Sequence, residues 1–291
     1  MRIIKSSVEK WQQGYAPKDI WEHVARCARV CYQSERKEGE DGESFCRRVI
    51  LPRKHLSVLE HGTVYLITSE EHVADFFYNN PYSRIICATP GYCITTNLRV
   101  LIENDMYYLI NDARIPTEYH FPRTTFSFIT SLGIAREFNR HRVHSISEES
   151  TRYCNYSKGK FGNEITFIRP YWIKGKIAQH PKTKTNEFGF QHFSEDAKVD
   201  LWLDHLNRCE IEYNAFISLG CKPQEARSVL PLDTKTQSVH TAFDMDWNQF
   251  ISLRGSRNAH PDARHLALEL RELMMPERSK TTTLVINEKG I

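Results

Sequence analysis

The chain has 291 residues, of which 40% are hydrophobic and 26% are charged, and its formal net charge is +3. This composition is typical of a soluble globular protein with a substantial core, in one large domain or two small ones. The small net charge argues against a nucleic-acid or membrane partner, and no apolar run is long enough to cross a bilayer. Because the first residues also lack the apolar core of a signal peptide, the sequence predicts a cytoplasmic protein.

The predicted elements follow in chain order. Alternating or β-branched apolar runs predict strands, and apolar residues spaced three or four apart predict helices, several with proline in the first turn. Strands are expected at residues 2–4, 63–68, 85–87, 92–96, 124–130, 164–168, 234–243 and 281–286. Helices are expected at residues 17–32, 43–53, 71–78, 132–142, 199–219, 223–231, 246–254 and 261–274, whereas residues 97–103 fit either type. Because there is no regular βαβ alternation, the pattern favours an α+β fold with helices around a mainly antiparallel sheet.

The eight cysteines are scattered along the chain, and none forms a Cys-x-x-Cys pair. In a protein expected in the cytoplasm they are predicted to be reduced and mostly buried. His141, His144 and Cys154 come nearest to a metal-binding group, but their spacing matches no usual structural zinc site. No metal site is therefore predicted.

A dense group of cations lies at the end of the helix expected at residues 132–142. Residues 140–142 read Arg-His-Arg, and Arg152 and Tyr153 follow a segment, ending at Ser150, that is rich in serine and glutamate. This segment lacks apolar periodicity and is predicted to be a loop. Guanidinium groups repel one another unless an anion lies among them, and their donor fork suits phosphate, carboxylate and imide oxygens. The cluster is therefore interpreted as the floor of a site for a negatively charged ligand.

The same segment resembles the signature of the flavin-dependent thymidylate synthases. Residues 140–153 combine an Arg-His-Arg triplet, seven further residues, a serine and then Arg-Tyr. Residues 55–61 resemble the family's His-x-Ser/Thr-Pro-x-Glu-His stretch, with Val58 where proline is usual. Residues 225–232 and 250–254 resemble its downstream half.

The resemblance spans roughly residues 20–275. It implies a single domain over residues 1–291, expanded near residues 62–123 and 157–198 compared with compact family members.

The resemblance implies reductive methylation of dUMP to dTMP. Methylenetetrahydrofolate would give the one-carbon unit, and electrons would pass from NADPH through FAD to the uracil ring. Hydride would reach uracil C6 from the reduced flavin without an enzyme nucleophile, while fixed guanidinium groups stabilise the developing charge. The resemblance further implies a homotetramer whose active sites are made from several subunits.

The family's functional positions transfer to individual residues of this chain. The flavin-contacting positions are Ser57, Arg140, His141, Arg142, Val143 and Glu148. The positions expected at the flavin's adenosine part are Phe243, Met245 and Gln249, which stand where asparagine, arginine and asparagine are usual. The dUMP-binding positions are Glu137, Arg140, Glu148, Glu149, Ser150, Thr151, Arg152, Arg227 and Arg254, with Arg227 contributed across a subunit boundary. Glu137 stands where glutamine is common, and its charge would repel a phosphate or uracil oxygen unless it pairs with Arg136 or Arg140.

Two of these residues are the catalytic candidates. Arg254 matches the arginine that stabilises ionised uracil N3 and ranks first. Ser150 matches a serine once proposed as a nucleophile, but a positioning role fits better because no activating base is adjacent in the sequence.

Two other functions remain open from the residues alone. One is a nucleotide- or RNA-binding protein that places Arg140, Arg142 and Arg152 on phosphates, although the near-neutral charge balance argues against it. The other is a flavin enzyme of the same fold that acts on another pyrimidine nucleotide.

Overall fold

The computed structural model describes residues 1–89, 91–186 and 189–275. Its helices are α1 (Pro17–Tyr32), α2 (Gly42–Phe45), α3 (Glu71–Asn79), α4 (Leu98–Glu103), α5 (Leu132–Phe138), α6 (Ala197–Ser218), α7 (Pro223–Ala226), α8 (Asp244–Arg254) and α9 (Pro261–Met274). Its strands are β1 (Arg2–Ile4), β2 (Ser7–Trp11), β3 (Thr63–Thr68), β4 (Arg84–Ala88), β5 (Gly91–Asn97), β6 (Arg123–Ser131), β7 (Ser145–Glu148), β8 (Thr166–Ile168), β9 (Lys184–Thr185), β10 (Gln191–His192) and β11 (Lys235–Phe243). The strand expected at residues 281–286 lies outside the described residues.

Four antiparallel strands in the order β2–β6–β11–β7 form the central sheet. Alternation along β6 places Phe126 and Phe128 on one face, where they pack against Trp247 and Phe250 of α8. The intervening Thr125 faces α1 on the opposite side. The sheet therefore lies between α1 on one face and α8 with α9 on the other, and the α+β prediction is confirmed.

The segment between residues 62 and 123 has its own antiparallel sheet, in the order β3–β5–β4. Its apolar residues do not form a separate core, because Leu66, Phe77 and Leu98 belong to the same buried cluster as Val24 of α1. The segment with ambiguous periodicity, residues 97–103, is the helix α4. The side chain of Asn97 settles its type, because Asn97 Oδ1 accepts a hydrogen bond from the Val100 backbone N–H at 3.2 Å and so caps the helix.

Two predictions beside the cation cluster are wrong. The helix expected to reach residue 142 ends at Phe138, whose side chain is fully buried against Phe128 and Phe250, so the chain leaves the helix there. The predicted loop contains the strand β7, which pairs with β11. Its inward positions are serines that hydrogen-bond instead of packing, with Ser147 Oγ 3.0 Å from a histidine nitrogen. Such a strand has no hydrophobic alternation to reveal it.

Across the described ranges, no helix combines the length and the apolar character needed to span a membrane.

Candidate active site

The cation cluster lies at the C-terminal end of α5, which begins at Ser131. The Ser131 hydroxyl caps the helix by accepting from the Ile134 backbone N–H at 3.3 Å. Arg140 and Arg142 follow the helix and are exposed, as is Arg152 beyond β7. In the part of the chain that the structure describes, no carboxylate lies within 4.0 Å of these three guanidinium groups; the Arg152 guanidinium instead lies 5.4 Å from the Tyr153 ring centroid. Three unpaired cations therefore face solvent on one side of the molecule, which suits an anionic ligand.

Arg254, by contrast, is held firmly at the end of α8. Its Nη1 donates to Glu137 Oε2 at 2.7 Å, its Nη2 donates to the Glu137 backbone carbonyl, and its Nε donates to His141 Nε2 at 3.1 Å. Only 10% of its side chain is exposed. The Glu137 carboxylate therefore fixes the orientation of the guanidinium. Among the described residues it pairs with Arg254 and not with Arg136 or Arg140, the partners expected from the sequence.

His141 is a neutral hydrogen-bond acceptor in this arrangement. Burial, together with the charges of Arg254 and Arg140, lowers the pKa of His141 to about 4. Since an arginine can only donate, Nε2 of His141 accepts and its proton must lie on Nδ1. The ring also packs against Phe250, with centroids 4.8 Å apart.

Glu148 closes the site at the end of β7. Its carboxylate accepts from Asn139 Nδ2 at 2.8 Å and from Thr236 Oγ1 at 3.2 Å. Burial raises the pKa of Glu148, and the two donors only partly oppose that effect. Asn139, which the sequence motif did not single out, thus links the end of α5 to Glu148.

Glu149 points the other way and is almost fully buried. Its carboxylate forms an ion pair with Lys235 Nζ at 2.6 Å and accepts from the Tyr156 hydroxyl at 3.1 Å. These contacts occupy Glu149 within its own chain, so a direct contact of its carboxylate with substrate would compete with them. Its predicted substrate role stays a prediction.

Replacement of Lys235 by methionine is expected to destabilise the fold by about 3 kcal/mol, because it leaves the Glu149 carboxylate buried without a counter-charge. Urea unfolding monitored by circular dichroism would measure the loss. The double variant Lys235→Met/Glu149→Gln is the matched control and should recover part of the stability. A single variant as stable as the parent would show that the pair contributes little.

Ser150, Thr151 and Arg227 come together next to this pair. Arg227 Nη1 donates to Thr151 Oγ1 at 3.2 Å. The Ser150 hydroxyl accepts from the Arg152 backbone N–H at 3.3 Å. Among the described residues no histidine, lysine or carboxylate is hydrogen-bonded to it, so nothing in the fold activates it as a nucleophile.

Ser57 is exposed on a 3₁₀-helix, Leu56–His61, that a buried histidine ties to the sheet. His61 Nδ1 lies 2.8 Å from Thr241 Oγ1, and His61 Nε2 lies 3.0 Å from Ser147 Oγ. Since Ser147 precedes Glu148, His61 fixes the Ser57 helix next to the Glu148 end of β7.

The same hydrogen bonds continue across the sheet to α1. Thr241 Oγ1 lies 2.7 Å from Thr125 Oγ1, which in turn lies 3.0 Å from His23 Nε2. Hydrophobic periodicity did not reveal this buried row, which runs from His23 through Thr125, Thr241 and His61 to Ser147. The alternating polar residues of β11 were the available signal.

Two of the remaining predicted positions, Phe243 and Met245, lie at the other end of α8, and Gln249 lies midway along it. Phe243 is buried at its start, between the guanidinium groups of Arg84 (5.1 Å) and Arg123 (5.4 Å), and Met245 and Gln249 are exposed. α8 has 11 residues, so Phe243 and Arg254 are separated by roughly 16 Å along the helix. Within one chain, the predicted adenosine-binding and catalytic positions are therefore apart.

No group of three or more histidine, cysteine, aspartate or glutamate side chains is arranged to hold a metal within residues 1–89, 91–186 and 189–275.

Comparison with known proteins defines the family. Residues 104–277, more than half of the chain, match the family model described as "Thymidylate synthase complementing protein". The chain belongs to the flavin-dependent thymidylate synthase family. A relative named flavin-dependent thymidylate synthase from Aquifex aeolicus is 22% identical, over 87% of this chain and 93% of its own length. Another with the same name, from Thermosipho melanesiensis, is 25% identical over 59% of this chain and 70% of its own.

Two solved structures are similar to this family member at lower sequence identity. The UMP/dUMP methylase PolB from Streptomyces cacaoi, bound with 5-Br dUMP, is 17% identical with a TM-score of 0.43, covering 94% of this chain and 91% of its own. Thymidylate Synthase X from Helicobacter pylori, with FAD and dUMP, is 16% identical with a TM-score of 0.40, covering 95% and 96%. Since both TM-scores are below 0.5, family membership rests on the sequence comparisons.

Proposed function

We propose that this chain catalyses the reductive methylation of dUMP to dTMP, with FAD as cofactor, methylenetetrahydrofolate as one-carbon donor and NADPH as reductant. Family membership supports the reaction class. The observation that carries the assignment to this chain is the contrast between one clamped arginine, Arg254, and the three unpaired arginines of the cation cluster. A site of that kind offers both a fixed charge for a reacting ring and free charges for a phosphate.

The donor set fits an anionic flavin and a nucleotide. Arg140, Arg142 and Arg152 present guanidinium groups that no carboxylate within the described residues neutralises. When bound, FAD would supply the electrons that the protein side chains cannot. The cations would hold negatively charged ring or phosphate oxygens, and the family pattern gives Ser57 and Val143 the neighbouring flavin contacts.

The protein's own part would be orientation and charge stabilisation. Glu137 and His141 hold the Arg254 guanidinium so that it need not reorganise when a uracil ring acquires negative charge. Ser150 would position the nucleotide, because no base is bonded to its hydroxyl. Glu148, held by Asn139 and Thr236, would separate the two ligands.

We further propose that the active enzyme is a homotetramer with shared sites. Phe243 and Met245 lie at the opposite end of α8 from Arg254, and the guanidinium of Arg227 is exposed beside Thr151. A site that combines all of them is more readily completed by residues of a second subunit. Analytical ultracentrifugation of the flavin-loaded protein would test the assembly.

Purified protein, or protein incubated with FAD, is expected to be yellow with an absorbance maximum near roughly 450 nm. Adding NADPH without oxygen should bleach this band, and dUMP together with methylenetetrahydrofolate should restore it with formation of dTMP. Product analysis with UMP and dCMP in place of dUMP tests the choice of pyrimidine nucleotide. A colourless protein that fails to take up FAD, but binds oligonucleotides with a steep salt dependence, would replace the proposal with a phosphate-binding function.

A further inference from the structure

A second cation-rich cavity lies on the opposite side of the sheet from Arg254. It has a volume of about 430 Å³ and is formed by the turn after β2 and one side of α1. Its polar lining includes Gln12, Gln13, His23, Arg26, Arg29 and Arg36. His23 lies on the α1 face of the sheet, whereas Arg254 and His141 lie on the α8 face. None of the residues assigned to the proposed active site lines this cavity.

Arg29 is a buried cation without adequate acceptors. Its side chain is 12% exposed, and its buried Nε and Nη2 atoms make no hydrogen bond to any residue that the structure describes, although its guanidinium carbon lies 4.2 Å from the Phe45 ring centroid. The nearest carboxylate, Glu40, lies 3.7 Å from Nη2. Glu40 is bound instead by Arg48, whose Nε and Nη2 donate to Oε1 at 2.9 and 2.5 Å. Because a buried charged donor without a partner is costly, Arg29 is set up to receive an acceptor from outside the chain.

Two further arginines converge on the same space from exposed positions. Arg26 lies one helical turn before Arg29 and stacks on Trp11, with its guanidinium carbon 3.7 Å from the ring centroid, and its Nη2 lies 3.9 Å from Glu9 Oε1. Arg36 donates from Nη2 to Glu22 Oε1 at 3.1 Å and from Nε to the Glu40 backbone carbonyl at 2.9 Å, so two of its three nitrogens are engaged. Both side chains are about half exposed, at 48% and 57%.

The acidic groups in the wall are already engaged. Glu22 Oε1 accepts from the Gly42 backbone N–H at 3.0 Å as well as from Arg36, and Asp19 Oδ2 accepts from the Ala16 backbone N–H at 3.4 Å. Three arginines line the cavity against these two carboxylates, and Glu9 and Glu40, outside the lining, lie within 4.0 Å of Arg26 and Arg29. His23 adds a buried imidazole to the same wall.

We propose that this cavity is a second anion site, distinct from the active site, that binds a phosphate-bearing small molecule. Three guanidinium groups from separate positions can share the several oxygens of a phosphate or diphosphate, whereas one carboxylate satisfies a single arginine fork. The volume exceeds that of a lone phosphate and lies in the range of small-molecule sites. The Gln12 side chain and the carboxylates of Asp19 and Glu22 offer partners for the hydroxyl or ring N–H groups of an attached nucleoside.

Isothermal titration of the purified protein with inorganic pyrophosphate, in the absence of dUMP, tests the site. Saturable binding is expected, and Arg29→Met should raise the Kd by about tenfold, with the methionine side chain packing on the Phe45 ring that the Arg29 guanidinium covers in the parent. Arg36→Gln, at a half-exposed position, should also weaken pyrophosphate binding. This variant tests the proposal if Arg29→Met fails to fold. Arg47→Met is the matched control, because Arg47 pairs with Glu43 outside the cavity and its loss should leave the Kd unchanged.

Three results would overturn the proposal. In the first, pyrophosphate fails to bind. In the second, pyrophosphate binds with a Kd that is unchanged by Arg29→Met and Arg36→Gln but raised by Arg142→Gln, which would place pyrophosphate at the cation cluster. Citrate could bind as tightly as pyrophosphate, which would make the cavity a general anion site. Since no turnover is measured, these results are independent of whether the chain makes dTMP.

Discussion

Replacing Arg254 with alanine is expected to lower dTMP formation by about 10²–10³-fold while the protein keeps its flavin. The expectation follows from geometry, because Glu137 and His141 hold this guanidinium in one orientation and leave it 10% exposed. A charge fixed in that way stabilises a developing anion without having to reorganise. Its removal is therefore expected to lower the rate strongly. The measurements are single-turnover dTMP formation and flavin absorbance on the same sample.

Two variants separate the charge of Arg254 from its geometry. Arg254→Lys keeps the charge but cannot serve both Glu137 and His141, so intermediate activity is expected. Glu137→Gln keeps an acceptor for Nη1 but removes the counter-charge, and should cost less than Arg254→Ala. Arg271→Ala on α9 is the matched control, since Arg271 is half exposed and pairs only with its neighbour Glu272. Full turnover by Arg254→Ala would disprove its catalytic role.

Acidification from pH 6 to pH 5 is expected to lower the free energy of unfolding by up to about 4 kcal/mol. Four of the buried histidines, whose pKa lies far below the ordinary value, carry this expectation. Burial lowers the pKa of His23 to about 4 and of His144 to about 3, and it holds the pKa of His61 and His240 well below the usual value. Their stabilising effect is complete above pH about 6.5 and is lost as pH falls toward the folded-state pKa, because the unfolded chain then binds more protons.

Urea unfolding at pH 7, 6 and 5 measures this dependence. The raised pKa of Glu148 and Asp244, both caused mainly by burial, opposes this dependence, whereas the lowered pKa of His141 and of His120, also caused mainly by burial, adds to it. His144→Phe, in a site already lined by Trp247 at 4.4 Å, should reduce the slope by about 1.4 kcal/mol per pH unit. His72→Gln, at an exposed position, should leave the slope unchanged. A free energy of unfolding that stays constant over this range would contradict the predicted role of burial.

The sequence predicted the elements whose signals are local. α1 and α9 have proline in the first turn and apolar residues at helical spacing, and both were predicted with the observed bounds. β6 and β11 were predicted from their alternation. β7 was missed because its inward side chains are serines, and the end of α5 was missed because the burial of Phe138 depends on residues more than 100 positions away.

In the candidate active site, too, the sequence predicted residue identities but not the contacts between distant residues. The motif pattern could name Glu137, His141 and Arg254, since their order along the chain carries the resemblance. It could not show that they bond to one another, because 117 positions separate the ion pair. Nor could it show that Lys235 forms an ion pair with Glu149, or that Phe243 lies at the opposite end of α8 from Arg254. Such pairings depend on how strands and helices pack, and no local pattern records them.

The buried row from His23 to Ser147 has a direction as well as a path. Each hydroxyl has one proton to give, and each neutral imidazole carries its single proton on one nitrogen or the other. The row therefore has only two fully hydrogen-bonded arrangements: every group donates toward Ser147, or every group donates toward His23. Changing from one arrangement to the other requires His23 and His61 to change tautomer together. Which nitrogen of His23 is protonated thus dictates whether the Ser147 hydroxyl donates or accepts, so the far side of the sheet sets the polarity beside Glu148 with no backbone displacement.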